Sequence, residues 1–271
     1  MIKEQYKNYT PTKCALCKKE KELMKSHIIP SLVYKRIRSN KHSRFRSLDN
    51  IEKVLQDGEK RPMLCHECEE LFSSFERLFA NKYLDVFINT NKIPKITGGW
   101  LDNYILTVAW RILYDDLYRM NSHEGSVANH IFDDFCFELG DYLLSLNHSS
   151  NEYPPKKFKN TVYRLKTLVK NKKINNLAQG SMFGYTYWDA KVNRAIVIVY
   201  YANLVFVTEY LYDRRKYIII GGRLPFFKRI CNRKTIRSEL NYQFKQMAKQ
   251  YKTGMNPELQ RKIQDFYDTH N

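Results

Sequence analysis

The chain has 271 residues, of which 43% are hydrophobic and 14% aromatic, so it can bury a sizeable core and is not compositionally disordered. Its formal net charge of +18 favours a polyanionic partner such as nucleic acid, and the alternative is that the charge serves only solubility. The most apolar stretch, residues 195–207, is broken by Asn203 and is too short for a membrane helix. We therefore expect a cytoplasmic protein that makes no membrane contact.

The positive charge is unevenly distributed along the chain. Residues 1–92 carry a net charge of +7, residues 93–149 carry −5, and residues 150–271 carry +16. A polyanion would therefore meet the two ends of the chain and avoid its middle.

Two identical C-x-x-C pairs lie near the N-terminus. They are formed by Cys14, Cys17, Cys65 and Cys68. Four thiolates in this pattern make the complete tetrahedral shell of a closed structural zinc site, which holds a fold and performs no chemistry.

Helical periodicity follows the second cysteine pair. A helix is predicted from about Glu67 to Phe79, with one apolar stripe that should be buried. After a turn-prone stretch with Pro94, Gly98 and Gly99, further helices are predicted at residues 100–119 and 127–146. For Trp110 and Arg111 we expect core packing with a surface charge.

The C-terminal half changes to β-branched and aromatic runs. Residues 147–155 read as a loop, and strands are predicted at residues 182–188, 195–201, 204–210 and 217–220, as a small antiparallel meander. Helices are predicted near residues 235–251 and after Pro257. The expected fold class is α+β, with an N-terminal zinc module at 1–92 and a region of helices and β-meander at 93–271.

Between the cysteine pairs lies Ser26-His27-Ile28-Ile29-Pro30, and Leu64-Cys65 precedes the first predicted helix. This arrangement, over residues 12–82, resembles the HNH endonucleases of the ββα-metal, treble-clef type. The resemblance implies that His27 is the general base that activates water. It also implies a divalent ion, Mg²⁺ or Mn²⁺, separate from the zinc.

The chain departs from that family at the positions of the catalytic metal ligands. Where the family usually has an Asp before the histidine, this chain has Ser26, which is a poor ligand. Where the family has His or Asn after the last cysteine, it has Glu69, a good oxygen ligand. Asn50 is the candidate for the family's middle asparagine, but it lies further from Cys65 than usual.

Basic residues follow His27 and recur after the predicted loop. Those expected to contact phosphates are Lys35, Arg36, Arg38, Lys41, Arg44, Arg46, Lys156, Lys157 and Lys159. For the second group the alternative is an amphipathic helix whose basic face is only solvated.

These patterns favour a metal-dependent HNH-type endonuclease acting on DNA, and the resemblance implies a role in bacterial anti-phage defence. Two alternatives stay open. One is a non-catalytic, zinc-stabilised nucleic-acid-binding protein, and the other is a protein-interaction module with a purely structural zinc. The patterns do not define the oligomeric state.

Overall fold

The computed structural model describes most of the chain. The described residues are 12–37, 45–46, 54–55, 58–120, 127–171, 174, 178, 181–189, 194–212, 233–253, 257–258 and 261. They form a mixture of helices and small antiparallel sheets, which confirms the α+β class. Within them, no helix combines the length and the apolar character needed to cross a membrane.

The N-terminal part is built on a two-stranded antiparallel sheet. Strand β1, Leu23–His27, pairs with β4, Lys60–Cys65, so that His27 lies opposite Lys60. Helix α1, Ser31–Ile37, follows β1, and the short strands β2, Phe45–Arg46, and β3, Val54–Leu55, pair with each other.

Strand β4 leads directly into a long helical segment. Helix α2, His66–Phe79, continues through a π-helical turn, Ala80–Leu84, into α3, Asp85–Thr90. The segment ends at Asn91, whose φ of 52° is left-handed. As predicted, α2 buries one apolar stripe at helical spacing: Leu71, Phe72, Phe75 and Phe79.

The next two helices also agree with the predicted periodicity. Helix α4 spans Trp100–Met120 and α5 spans Val127–Ser145. Helix α4 packs against both α2 and α5 and also reaches the C-terminal sheet, so it is the central helix of the described structure.

The C-terminal sheet has four antiparallel strands in the order β5-β8-β7-β6. Strands β6, Phe183–Asp189, β7, Arg194–Tyr201, and β8, Leu204–Tyr210, confirm three predicted strands of the meander. Residues 217–220 lie outside the described residues. Short helix α6, Leu165–Leu168, and helix α7, Arg233–Thr253, complete the fold, the latter as predicted.

Strand β5, Phe158–Arg164, corrects one interpretation. The alternative considered for this lysine-rich stretch was an amphipathic helix, but seven of its residues pair with β8. Pairing with β5 provides hydrogen-bond partners for the backbone N–H and C=O groups at the edge of β8. This gain outweighs the weak helical spacing of the lysines.

The sheet is buried on both faces. Alternate residues of β7 such as Val197 and Val199 join the core formed with α2, α4 and α5, whereas Ile196 and Ile198 pack under α7. Residues of the cysteine region belong to the first of these cores. The division of the chain at residue 92 stays a prediction, and a continuous apolar core crosses that point.

The loop at residues 147–155 caps the start of α4. The N–H of Gly99 donates to the Asn151 carbonyl at 2.8 Å, and the Asn103 side chain donates to the Glu152 carbonyl at 3.2 Å. A Cβ on Gly99 would lie 2.0 Å from that Glu152 oxygen. The close backbone approach therefore requires glycine at this position.

We predict that Gly99→Ala lowers the free energy of unfolding by about 1–3 kcal/mol, because a backbone oxygen cannot move aside as a flexible side chain can. Urea denaturation measures the change. The control is Tyr153→Ala in the same loop, whose side chain is exposed and whose removal should change stability by less than about 0.5 kcal/mol. If Gly99→Ala is as stable as Tyr153→Ala, the close approach of the loop backbone to Gly99 does not require glycine.

Candidate metal centre and the adjoining polar site

The structure brings the four predicted cysteines together. Their sulfur atoms all lie within 4.8 Å of one another, and Cys17 Sγ is 3.8 Å from Cys65 Sγ, too far for a disulfide. The turn of the first pair and the start of α2 supply two cysteines each, and the Cys65 N–H donates to Cys14 Sγ at 3.3 Å. The cluster could hold a metal ion.

The pKa values of the clustered thiols depend on one another, which explains why a bound cation would stabilise the cluster. A hydrogen bond from the Cys68 thiol lowers the pKa of Cys14 to about 4, and the same contact raises the pKa of Cys68. Burial raises the pKa of Cys65 to about 11. Ionisation of one thiol therefore opposes ionisation of its neighbours, and a bound cation would remove that opposition.

A second polar site joins β1 to α2 beside the cysteine cluster. The fully buried Ser26 hydroxyl donates to Glu69 Oε2 at 2.9 Å and accepts from the Leu64 N–H at 3.3 Å. The residue before His27 and the residue after Cys68 are thus in direct contact. Ser26 acts here as a hydrogen-bond donor to the carboxylate.

Arg111 of α4 lies in the same site, which corrects the expectation of a surface charge. Its side chain is 1% exposed, and its guanidinium bonds Glu76 Oε1 at 2.6 Å and Glu69 Oε1 at 3.4 Å. It also lies 4.9 Å from the centre of the Phe72 ring. Burial disfavours its charge, but the two carboxylates outweigh that effect and raise the pKa of Arg111.

His27, the predicted general base, ends β1 next to Ser26. Its side chain is half-buried, whereas the side chain of Ser26 is fully buried. The His27 ring lies 6.3 Å from the ring of Tyr34 in α1. Gly58 allows Tyr34 to pack there, since a Cβ on it would lie 2.0 Å from the tyrosine ring.

The remaining predicted site residues are only partly located. Asn50 lies outside the described residues. His66 and Glu70, two further polar residues near the site, are exposed on the first turns of α2. Glu76, seven residues after Glu69 on α2, is connected to it through the Arg111 guanidinium.

Among the predicted phosphate-binding cations whose side chains the structure describes, Arg36 and Lys157 form ion pairs within the chain. Arg36 makes a two-pronged contact with Asp85, with bonds of 2.6 and 2.9 Å that attach α1 to α3. Lys157 lies 3.0 Å from Glu138 of α5. Lys35 and Lys156 are exposed, and Lys159 is half-buried on β5. Arg38, Lys41 and Arg44 lie outside the described residues, and Arg46 is described by its backbone alone.

Sequence reasoning missed the role of Arg111, although a signal was present. Tyr104, Val108 and Arg111 recur at helical spacing, so the arginine falls on the stripe that α4 buries. A charged residue on a buried stripe requires charged partners. A second such contact joins Arg61 of β4 to the buried Asp115 of α4 at 3.0 Å.

Comparisons of the chain with models of protein families, with curated proteins and with solved structures find no significant match.

We predict that Arg111→Met lowers the free energy of unfolding by about 3–5 kcal/mol, because it leaves two partly buried carboxylates without their shared cation. The control is Arg77→Met on α2, which removes an exposed arginine and should cost less than about 0.5 kcal/mol. Urea denaturation of both variants with the metal bound measures the difference. If Arg111→Met loses no more free energy of unfolding than Arg77→Met does, Arg111 is not needed to neutralise Glu69 and Glu76.

Proposed function

We propose that the chain is a metal-dependent nuclease of the HNH type that hydrolyses phosphodiester bonds of DNA. The observation that carries the proposal is the 2.9 Å contact between Ser26 and Glu69. These residues occupy the two positions at which the nucleases resembled by residues 12–82 place their catalytic-metal ligands. Their contact supports the same arrangement of strand and helix here.

His27 is proposed as the general base. It follows Ser26 directly, and its side chain is half-buried, so solvent reaches it. Hydrolysis of a phosphodiester needs an activated water and positive charge beside the phosphate oxygens. A Mg²⁺ or Mn²⁺ ion would supply that charge when bound, and Glu69, whose side chain is 24% exposed, is the residue that would hold it.

For the cysteine cluster we propose a structural zinc ion. A tetrahedron with zinc–sulfur bonds of about 2.3 Å has edges of about 3.8 Å. The distance of 3.8 Å between Cys17 Sγ and Cys65 Sγ fits one such edge. Four sulfur ligands leave no open coordination position, so this ion holds β4 and α2 to the first cysteine turn and takes no part in hydrolysis.

A second candidate function is favoured by the contacts of Glu69. Its two carboxylate oxygens are already bonded by the Ser26 hydroxyl and the Arg111 guanidinium. A carboxylate neutralised in this way binds a divalent cation less strongly. The second candidate is therefore a non-catalytic, zinc-stabilised protein that binds nucleic acid.

We predict about one zinc ion per chain in protein purified without added zinc, and its loss in Cys65→Ser. Because metal binding is coupled to folding in such sites, this variant should also lose structure around β4 and α2. Cys136→Ser, which changes a cysteine outside the cluster, should keep the zinc. Metal analysis by mass spectrometry decides the point, and a metal-free native protein would refute the zinc proposal.

We predict that His27→Ala lowers the rate of plasmid cleavage in Mg²⁺ or Mn²⁺ by about 10²–10⁴-fold, because no base then activates the water. Zinc content and DNA affinity should stay within about twofold of the native values, since the variant removes no thiolate and no phosphate-binding cation. His148→Ala, which changes an exposed histidine, is the control.

The outcomes of this experiment separate the two candidates. If native protein cuts DNA and His27→Ala cuts it equally fast, the HNH mechanism is wrong. If native protein shifts DNA in a gel but cuts no DNA or RNA with either ion, the non-catalytic candidate replaces the nuclease.

We predict that Lys156→Gln reduces the slope of log affinity for DNA against log salt by about one. Lys157→Gln should reduce it by clearly less, because the neighbouring Lys157 is engaged by Glu138. The two lysines differ by one position, so each variant controls for the other. If native protein and Lys156→Gln show the same salt slope, Lys156 does not contact a DNA phosphate.

A further inference from the structure

A groove lies on the side of the molecule formed by the first cysteine turn, α4 and the outer face of α5. Its cavity measures about 470 Å³. The apolar lining consists chiefly of Leu16, Trp110, Tyr114, Leu117, Phe137 and Leu144. We call this feature the α5 groove.

The apolar residues that α5 contributes to the groove are not needed for the chain's own core. Phe137 is 62% exposed and Leu144 is 40% exposed, seven residues apart on one face of the helix. The opposite face carries Phe135, Leu139 and Leu143, all fully buried. Helix α5 therefore has apolar residues on both sides, and only one side is covered in the described structure.

Close packing at one point shapes the groove. A Cβ on Gly140 would lie 3.2 Å from Trp110 Nε1 and 3.6 Å from Leu16 Cδ1. The glycine lets α5 approach α4 and the cysteine turn between the two exposed apolar residues. Trp110, which is only 1% exposed, stacks on Tyr114 at 5.4 Å and forms the floor beneath the groove.

The charge of the groove differs from that of the whole chain. Asp133 and Asp141, both exposed, lie in its lining. Its one lysine, Lys18, directs its ammonium group to the Ala15 carbonyl at 2.7 Å. The lining therefore carries a net charge of −1, whereas the chain carries +18, so the groove attracts nucleic acid less than the basic surfaces do.

We propose that the α5 groove binds a short amphipathic helix of a partner protein, with apolar side chains on the groove surface and Lys or Arg beside Asp133 and Asp141. The distance along α5 from Phe137 to Leu144 is about 10 Å, which matches two turns of a docked helix. The acidic rim selects a cationic partner over an acidic one. This proposal is independent of the nuclease activity.

The test is selection from a phage library of random 16-residue peptides on the zinc-loaded full chain. We expect enriched peptides with aliphatic or aromatic residues at helical spacing and with Lys or Arg between them. Fluorescence anisotropy of a selected peptide should then show at least about a tenfold loss of affinity for Phe137→Ser, because a phenylalanine buried on binding is removed. Asp141→Lys should also weaken binding, by repulsion.

Matched controls are Tyr153→Ser, which removes another exposed aromatic residue, and Glu152→Lys, which makes the same kind of charge change outside the groove. Both should bind the peptide as native protein does. The proposal is overturned if no peptide is enriched, if acidic peptides are enriched, or if Phe137→Ser and Asp141→Lys bind as the controls do. It is also overturned if the native chain forms a dimer that Phe137→Ser dissociates, since the groove is then covered by a second copy.

Discussion

Burial of the Arg111 charge is the constraint around which the N-terminal half is organised. A guanidinium 1% exposed requires carboxylates at fixed positions, and Glu69 and Glu76 of α2 supply them. Because Glu69 also accepts from Ser26, the same contacts connect β1, α2 and α4. Ion pairs of this kind stabilise a fold only modestly compared with apolar packing, but loss of one partner is severe. The network therefore fixes the geometry of the polar site more than it adds to overall stability.

The cysteine cluster and the Arg111 network have different roles in the same small volume. With a metal ion bound, the cysteines would hold the backbone of β4 and the start of α2 to the first turn, whereas Arg111 ties the side chain of Glu69 to the central helix. The apolar core continues from these elements through α4 to the sheet. The proposed catalytic residue, His27, lies beside this core next to Ser26. A buried hydrogen bond at 2.8 Å between the hydroxyls of Tyr104 and Tyr201 also joins α4 to β7.

The features predicted correctly from sequence depend on short-range patterns. The cysteine spacing, the apolar stripes of α2, α4 and α5, and the β-branched and aromatic runs of β6 to β8 can be read within a few residues. The contacts of Arg111 join residues 35 and 42 positions apart, so they depend on how α4 packs on α2. Strand β5 was not predicted because its pairing with β8, and not its own alternation, determines its structure. The pairing of Arg36 with Asp85 is likewise a tertiary contact between α1 and α3.

The most direct measurement is anomalous diffraction from crystals of the His27→Ala variant grown with DNA and Mn²⁺, in which the substrate should stay uncut. The account predicts a zinc peak about 2.3 Å from each of four sulfur atoms. It also predicts a manganese peak at the exposed edge of the Glu69 carboxylate, beside a DNA phosphate. A zinc peak without manganese at Glu69, and with Arg111 as the only cation on that carboxylate, would contradict the nuclease.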